Sequence, residues 1–171
     1  MAALRPGRSM RRIERPWTRY SSKKTKSYIP TLPGTKIHVF NMGEQNPDYD
    51  VTLNLVAERP VQIRDNALEA ARVVAQKFIE AKLPKGYFMK FLLYPYQVIR
   101  EKPLAQGAGA DRYSMGMKLA FGKPTSRAVQ VKQGQTIVRM KTFKSNIVIA
   151  KQALKRAAGK LPTPTRIVVE E

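Results

Sequence analysis

T-L-N-L-V-A-E-R-P-V-Q-I-R-D-N-A-L-E-A-A-R-V-V-A-Q-K-F-I-E-A-K-L-P-K-G-Y-F-M-K-F-L-L, residues Thr52 to Leu93, changes its hydrophobic period twice, and those changes organise the chain. Thr52 to Ala57 alternates sides with a period of two, as a half-buried strand does. From Asp65 to Leu83 the apolar positions are Leu68, Ala71, Ala75, Phe78, Ile79 and Leu83, the spacing of one helical face. Asp65 or Asn66 is the expected N-cap, Glu69 completes a capping box on Asn66, and Pro84 with Gly86 stops the helix. Tyr87 to Leu93 then reads as a strand again.

Outward from this stretch the same periods continue. Lys36 to Phe40 (K-I-H-V-F) is an expected strand that pairs with Thr52–Ala57 across the turn-rich Asn41 to Asp50. Its His38 points away from Ile37 and Val39 and reads as a surface or structural residue rather than a base. Gln97 to Arg100 resumes the strand broken at Pro95. Ala128 to Val131 and Thr136 to Met140 form an expected hairpin turned at Gln133 to Gln135. A second helix runs from Asn146 to Ala158, burying Ile147, Ala150, Leu154 and Ala157, and ends at Gly159 before Pro162. Lys151, Lys155, Arg156 and Lys160 give it a wholly basic free face. Arg166 to Val169 is a terminal strand.

Between the strands lies K-P-L-A-Q-G-A-G-A-D-R-Y-S-M-G-M-K, the 17 residues from Lys102 to Lys118. A connection this long without periodicity is usually functional or mobile. With its continuation to Arg127 it carries Lys102, Arg112, Lys118, Lys123 and Arg127 against Asp111 alone. Gly107, Gly109 and Gly116 allow close backbone approach, but the segment has neither the GK[ST] of a phosphate loop nor G-x-G-x-x-G spacing.

The 171 residues hold 32 Lys and Arg against 12 acids, a net charge of +20. Residues 1–30 hold nine of these cations, Arg5, Arg8, Arg11, Arg12, Arg15, Arg19, Lys23, Lys24 and Lys26, against Glu14. Residues 41–81 are mildly acidic, and from Lys82 to Val169 eighteen cations face only Glu101 and Asp111. Neutralising phosphates releases condensed counterions, so a polyanion is the partner such a distribution suits. The arm also interleaves Trp17, Tyr20 and Tyr28 with its charges, and the rings either stack on unpaired bases or anchor the arm to the core. Pro6, Gly7 and Pro16 break the amphipathic helix that a transit peptide needs.

With one histidine and no cysteine, disulfides, thiolate metal sites and Ser/His or Cys/His nucleophile arrangements lack their parts. Asp48 and Asp50 sit in N-P-D-Y-D, where turn geometry alone favours Asp. No apolar run approaches the roughly 20 residues of a membrane span. No catalytic residue, metal ligand or cofactor site is therefore expected.

Six ordered blocks decide between the remaining classes: Asn66–Arg72 (N-A-L-E-A-A-R), Leu93–Arg100 (L-Y-P-Y-Q-V-I-R), Gly109–Arg112 (G-A-D-R), Gly116–Pro124 (G-M-K-L-A-F-G-K-P), Gly134–Ile137 (G-Q-T-I) and Ala153–Ala157 (A-L-K-R-A). Together they closely resemble the large-subunit ribosomal protein family called ten-e in archaea and eukaryotes, the counterpart of bacterial protein sixteen. The resemblance covers nearly the whole chain. The cysteines of eukaryotic members are missing and the chain stops soon after Val169, which favours an archaeal member.

The resemblance implies an α+β fold: a two-layer sandwich of mixed or antiparallel sheet with two main helices, a hammerhead-like β motif, a basic extension over 1–30 and a domain over 31–171 with a long flexible loop at 102–118. It implies a cytoplasmic, non-enzymatic ribosome constituent. The expected partners are large-subunit rRNA, the 5S rRNA vicinity near the central protuberance, the tRNA acceptor arm and neighbouring ribosomal proteins, with no membrane and no homo-oligomer. Arg5, Arg8, Arg11, Arg12, Arg15, Trp17, Arg19, Tyr20, Lys23, Lys24 and Lys26 in the arm, with Lys151, Lys155 and Arg156 on the helix, are the expected rRNA-binding residues. Lys102, Gly107, Gly109, Asp111, Arg112, Gly116, Lys118 and Lys123 are expected near tRNA, toward the aminoacyl side of the peptidyl transferase centre. An RNA-modifying enzyme would need a cofactor cradle or a poised acid/base pair that the sequence lacks. A free-standing DNA binder would explain the charge and leave the loop without a purpose.

Overall fold

The computed structural model describes residues 4–13, 16–19, 21, 23–27, 29, 31–45, 48–114, 116 and 122–170. Its strands are β1 (Asn41–Gly43), β2 (Val51–Ala57), β3 (Val61–Arg64), β4 (Tyr87–Phe91), β5 (Gln97–Glu101), β6 (Lys123–Val131), β7 (Thr136–Thr142) and β8 (Thr165–Glu170). The helices are α1 (Asp65–Lys82), the single turn α2 (Ala110–Tyr113) and α3 (Ile147–Ala158). Five strands form one sheet in the order β1-β4-β7-β2-β8 and three form another in the order β3-β6-β5, every pairing antiparallel. The architecture is thus the expected α+β, with α1 and α3 packed on each other and α3 against the larger sheet.

The core follows the periods of the sequence. Leu53, Leu55, Met89, Phe91, Val138 and Met140 alternate onto the inner face of the larger sheet and share one core with Leu68, Ala71, Ala75 and Ile79 of α1, which packs on β3 and β6, and with Ala153, Leu154 and Ala157 of α3. Alanines on both helices let the two axes approach, and the leucine and isoleucine side chains fill what remains.

The expected hairpin of Ala128–Val131 with Thr136–Met140 does not form, because β6 and β7 belong to different sheets. Val51 to Val56 of β2 pairs with Thr142 to Thr136 of β7, and Val61 to Arg64 of β3 pairs with Val131 to Ala128 of β6, so one two-stranded ribbon runs through both sheets and bends between them. At the bend Gly134 N–H donates to the Ala57 carbonyl at 2.8 Å and Ala57 N–H to the Gln135 carbonyl at 3.0 Å. Pro60 has no N–H to offer the ladder, and Gly134 supplies a φ of +78°, so the strands switch sheets here, as at the corners of orthogonal packings. β3, a four-residue strand beyond that bend, went unnoticed in the sequence.

Two further expectations are corrected. Lys36–Phe40 is not a strand beside β2: Ile37 is buried but His38 and Val39 are both exposed, and the short β1 pairs with β4 instead. The reason is edge occupancy, since β7 and β8 already take both sides of β2. The capping box at the start of α1 is also absent. Asp65 spends its two oxygens on the Asn66 N–H (2.8 Å) and the Lys36 N–H (2.9 Å), tying the incoming 36–40 segment to the helix start, while Glu69 pairs with Arg72.

Candidate nucleic-acid interface

The segment after β5 is held at its base like a hairpin. Gln97 to Glu101 faces Ala128 to Lys123, with an irregularity between Ile99 and Arg100, and the rungs end at Glu101 opposite Lys123. Beyond this stem the loop is not wholly irregular. Gly109 adopts φ +83°, starting the turn α2, and Arg112 N–H donates to the Gly109 carbonyl at 3.0 Å. Gly107, Gly109, Asp111 and Arg112 are exposed, Tyr113 is 86% exposed, and Lys102 and Gly116 are half-buried. Lys123 stands exposed in the stem, whereas Lys118 lies outside the described residues.

The arm is bound to the smaller sheet at both of that sheet's edges. On β3, Gln62 donates its N–H to the Arg11 carbonyl (2.7 Å) and its side-chain amide to the Met10 carbonyl (2.9 Å). On β5, the Gln97 side-chain oxygen accepts from Thr18 N–H (2.7 Å), its amide donates to the Pro16 carbonyl (3.4 Å), and the Thr18 hydroxyl accepts from Val98 N–H (3.0 Å). The bonds from Gln62 N–H and Val98 N–H satisfy edge backbone groups that would otherwise be open to another chain, and the side-chain amides of Gln62 and Gln97 add the rest. Trp17 meets Tyr96 in a T-shaped contact with ring centres 5.9 Å apart, yet remains 47% exposed. The ring therefore anchors the arm and still offers surface for stacking. Arg15 and Tyr20, and with them Tyr28, lie outside the described residues.

Cations converge on this arm, Arg5, Arg12 and Arg19 exposed and Arg100 and Lys102 half-buried. Arg5, Arg12, Arg19, Arg100 and Lys102 line a cleft of about 590 Å³ between arm and β5, with Glu101 as the only carboxylate among the described residues that line it, 3.4 Å from Arg5 Nε. A smaller cavity of about 310 Å³ on the other side brings Arg11 and Arg64 together with Lys160 just past α3. Arg8, Lys23 and Lys26 are exposed nearby in the arm, and Lys24 opens the one-turn helix Lys24–Lys26.

On α3, Lys151, Lys155 and Arg156 are exposed as expected, but Val148 shares the solvent side at 66% exposure, so that face is not wholly basic. Arg156 stacks its guanidinium 4.0 Å from the Phe78 ring centre of α1, which holds a charge in place without neutralising it.

Sequence reasoning missed the outer face of the larger sheet. The register places Lys90 opposite Arg139 and Phe88 opposite Lys141, so three exposed cations stand on the face turned away from the core. Arg139 Nε also donates to Asn54 Oδ1 at 3.2 Å. The alternation in T-I-V-R-M-K-T carried that signal for Arg139 and Lys141, and Lys90 joins them only through strand pairing.

Among the described residues no three His, Asp or Glu side chains are grouped to hold a metal ion, and no helix is long and apolar enough to cross a membrane. His38 is exposed, and Asp48 and Asp50 lie in the connection between β1 and β2. What the geometry offers is a set of cationic surfaces around a hydrogen-bonded arm and a projecting loop.

Residues 16–168 match the family described as ribosomal protein L16p/L10e. The large ribosomal subunit protein uL16 of Archaeoglobus fulgidus is 48% identical over 170 residues, covering 99% of this chain and 94% of that relative. The uL16 proteins of Methanococcus aeolicus (41% over 168 residues, 98% and 94% covered) and Thermofilum pendens (42% over 170 residues, 98% of each) are similar along the same length.

Proposed function

Because the chain belongs to the ribosomal protein L16p/L10e family, and so is a structural constituent of the ribosome and not an enzyme, we propose that it works by embedding its cationic surfaces in large-subunit rRNA. Residues 1–30 act as a basic extension and residues 31–171 as the α+β domain that carries it. The arm cations, the exposed face of α3 and the stem of the loop neutralise converging phosphates, a term that needs no base sequence. In keeping with the family resemblance, the protein sits near 5S rRNA and the central protuberance of the cytoplasmic ribosome. Its loop reaches toward the aminoacyl side of the peptidyl transferase centre and helps position the tRNA acceptor arm.

The observation that carries this reading is the laddered stem that projects exposed Gly107, Gly109, Asp111 and Arg112 away from the core. Such a loop is positioned at its root and adaptable at its tip, which suits contact with a ligand that enters and leaves. Arg112→Glu tests it. The variant is expected to fold and join the large subunit but to impair tRNA accommodation or late subunit maturation; normal peptide-bond yield from mutant subunits would refute the loop's role.

A further inference from the structure

We propose that the cleft of about 590 Å³ between the arm and β5 takes one unstacked nucleotide of single-stranded RNA, its base beside Trp17 and its flanking phosphates against the cations around it. This rests on the rRNA-binding reading above and narrows it to one site and one kind of ligand.

The cleft is framed by hydrogen bonds that tie the arm's backbone and Thr18 to the edges of the smaller sheet. The bonds from Gln62 fix residues 10 and 11 at one edge of the smaller sheet, and those of Gln97 and Val98 fix residues 16 to 18 at the other. The arm is therefore tied to both edges of the sheet, beside a space whose lining includes Val98 and Ile99. Its size falls within the ~300–1,000 Å³ of small-ligand sites. Among the described residues that line it, Arg12, Arg19, Arg100 and Lys102 stand with Arg5, and Glu101 lies 3.4 Å from Arg5 Nε. Cations spread along the arm and β5 suit a phosphodiester chain passing in and out. Trp17 supplies the apolar partner, half of its surface open. A base still paired inside a helix presents no face to such a ring, so the site selects single strands.

The test uses the full chain, with a labelled single-stranded oligouridylate and an RNA duplex as probes, and anisotropy as the readout. Trp17 is the sole tryptophan, so its emission should change when the oligouridylate binds. Trp17→Ala should weaken oligouridylate binding by about 5- to 150-fold, the worth of one stacked base, and leave duplex binding within about twofold. Trp17→Phe, which keeps a ring to hold the arm on Tyr96, should recover most of the loss. Lys102→Ala should weaken the single strand, and Lys77→Ala on α1, outside the cleft, should not. The inference is overturned if Trp17→Ala binds oligouridylate like the wild type, if Trp17→Phe loses as much as Trp17→Ala, or if single strand and duplex weaken alike. Displacement of the oligonucleotide by equimolar uridine monophosphate would also overturn it, in favour of a free nucleotide. Co-sedimentation of the wild-type chain with large subunits is scored separately: its failure would sink the ribosomal reading, while the oligonucleotide result alone decides the cleft.

Discussion

Gly122→Ala isolates the joint on which the loop turns. Gly122 follows the loop and precedes β6, with φ +73°, and a methyl group there would lie 2.9 Å from the Glu101 carbonyl carbon and 3.0 Å from its oxygen. Two costs add. Left-handed backbone costs an L-residue about 1–2 kcal/mol. The contact is with strand backbone, well inside the ~3.5–4.0 Å of an ordinary carbon–carbon contact, and crowding of this kind costs about 1–3 kcal/mol. Gly134→Ala is the control, because Gly134 has φ +78° but open space around its missing side chain, so it bears the conformational cost alone. Chemical denaturation should place Gly122→Ala below Gly134→Ala by about 1–3 kcal/mol. Amide exchange should quicken at Glu101 and Lys123, whose pairing is the last rung of the stem. Equal destabilisation of the two variants, with unchanged exchange at that rung, would refute the reasoning that Glu101 backbone and Gly122 lock the loop's root.

Asp65→Ala removes the buried carboxylate that accepts from the part-buried N–H groups of Lys36 and Asn66 and should cost about 1–3 kcal/mol in denaturant unfolding, with Asp65→Asn recovering part of it. Arg156→Ala removes the cation over Phe78 and should lower stability by about 0.5–1 kcal/mol while reducing the salt slope of rRNA binding by roughly 0.7–0.9, both readable on one preparation. Burial raises the Tyr49 hydroxyl above its ordinary pKa, with Glu44 adding to it, and burial raises Tyr87 with Glu80 and Tyr49 adding. Both stay protonated in the fold where the unfolded chain ionises, so their contribution is complete below about pH 10 and is lost as pH rises through the raised values. Melting temperature should fall on that side, and Tyr87→Phe should flatten the fall; parallel profiles for variant and wild type would count against it.

The elements with a strong local period were legible in the sequence. Leu68, Ala71, Ala75 and Ile79 announce α1, Ala150, Leu154 and Ala157 announce α3, and both helices stand where the spacing put them. The same holds for β4, β5 and β8, and for the loop, which lacks a period and is bounded by paired strands. Charge segregation between the ends and the 41–81 segment is likewise a property of the sequence alone.

What only the tertiary structure decided is which strand meets which. Alternation tells a strand that one face will be buried but not whose edge it will join, and a pairing depends on which edges distant segments leave open. Thus β1 goes to β4 because β7 and β8 hold β2, and the turn at Gly134 becomes a corner between sheets because Ala57 comes to bond it. The cleft was hidden for the same reason. Gln62 and Gln97 look like ordinary strand residues in sequence, and only after the edges of the smaller sheet are set do they fasten the arm, bringing Arg12 and Trp17 around the space that Arg100 and Lys102 line.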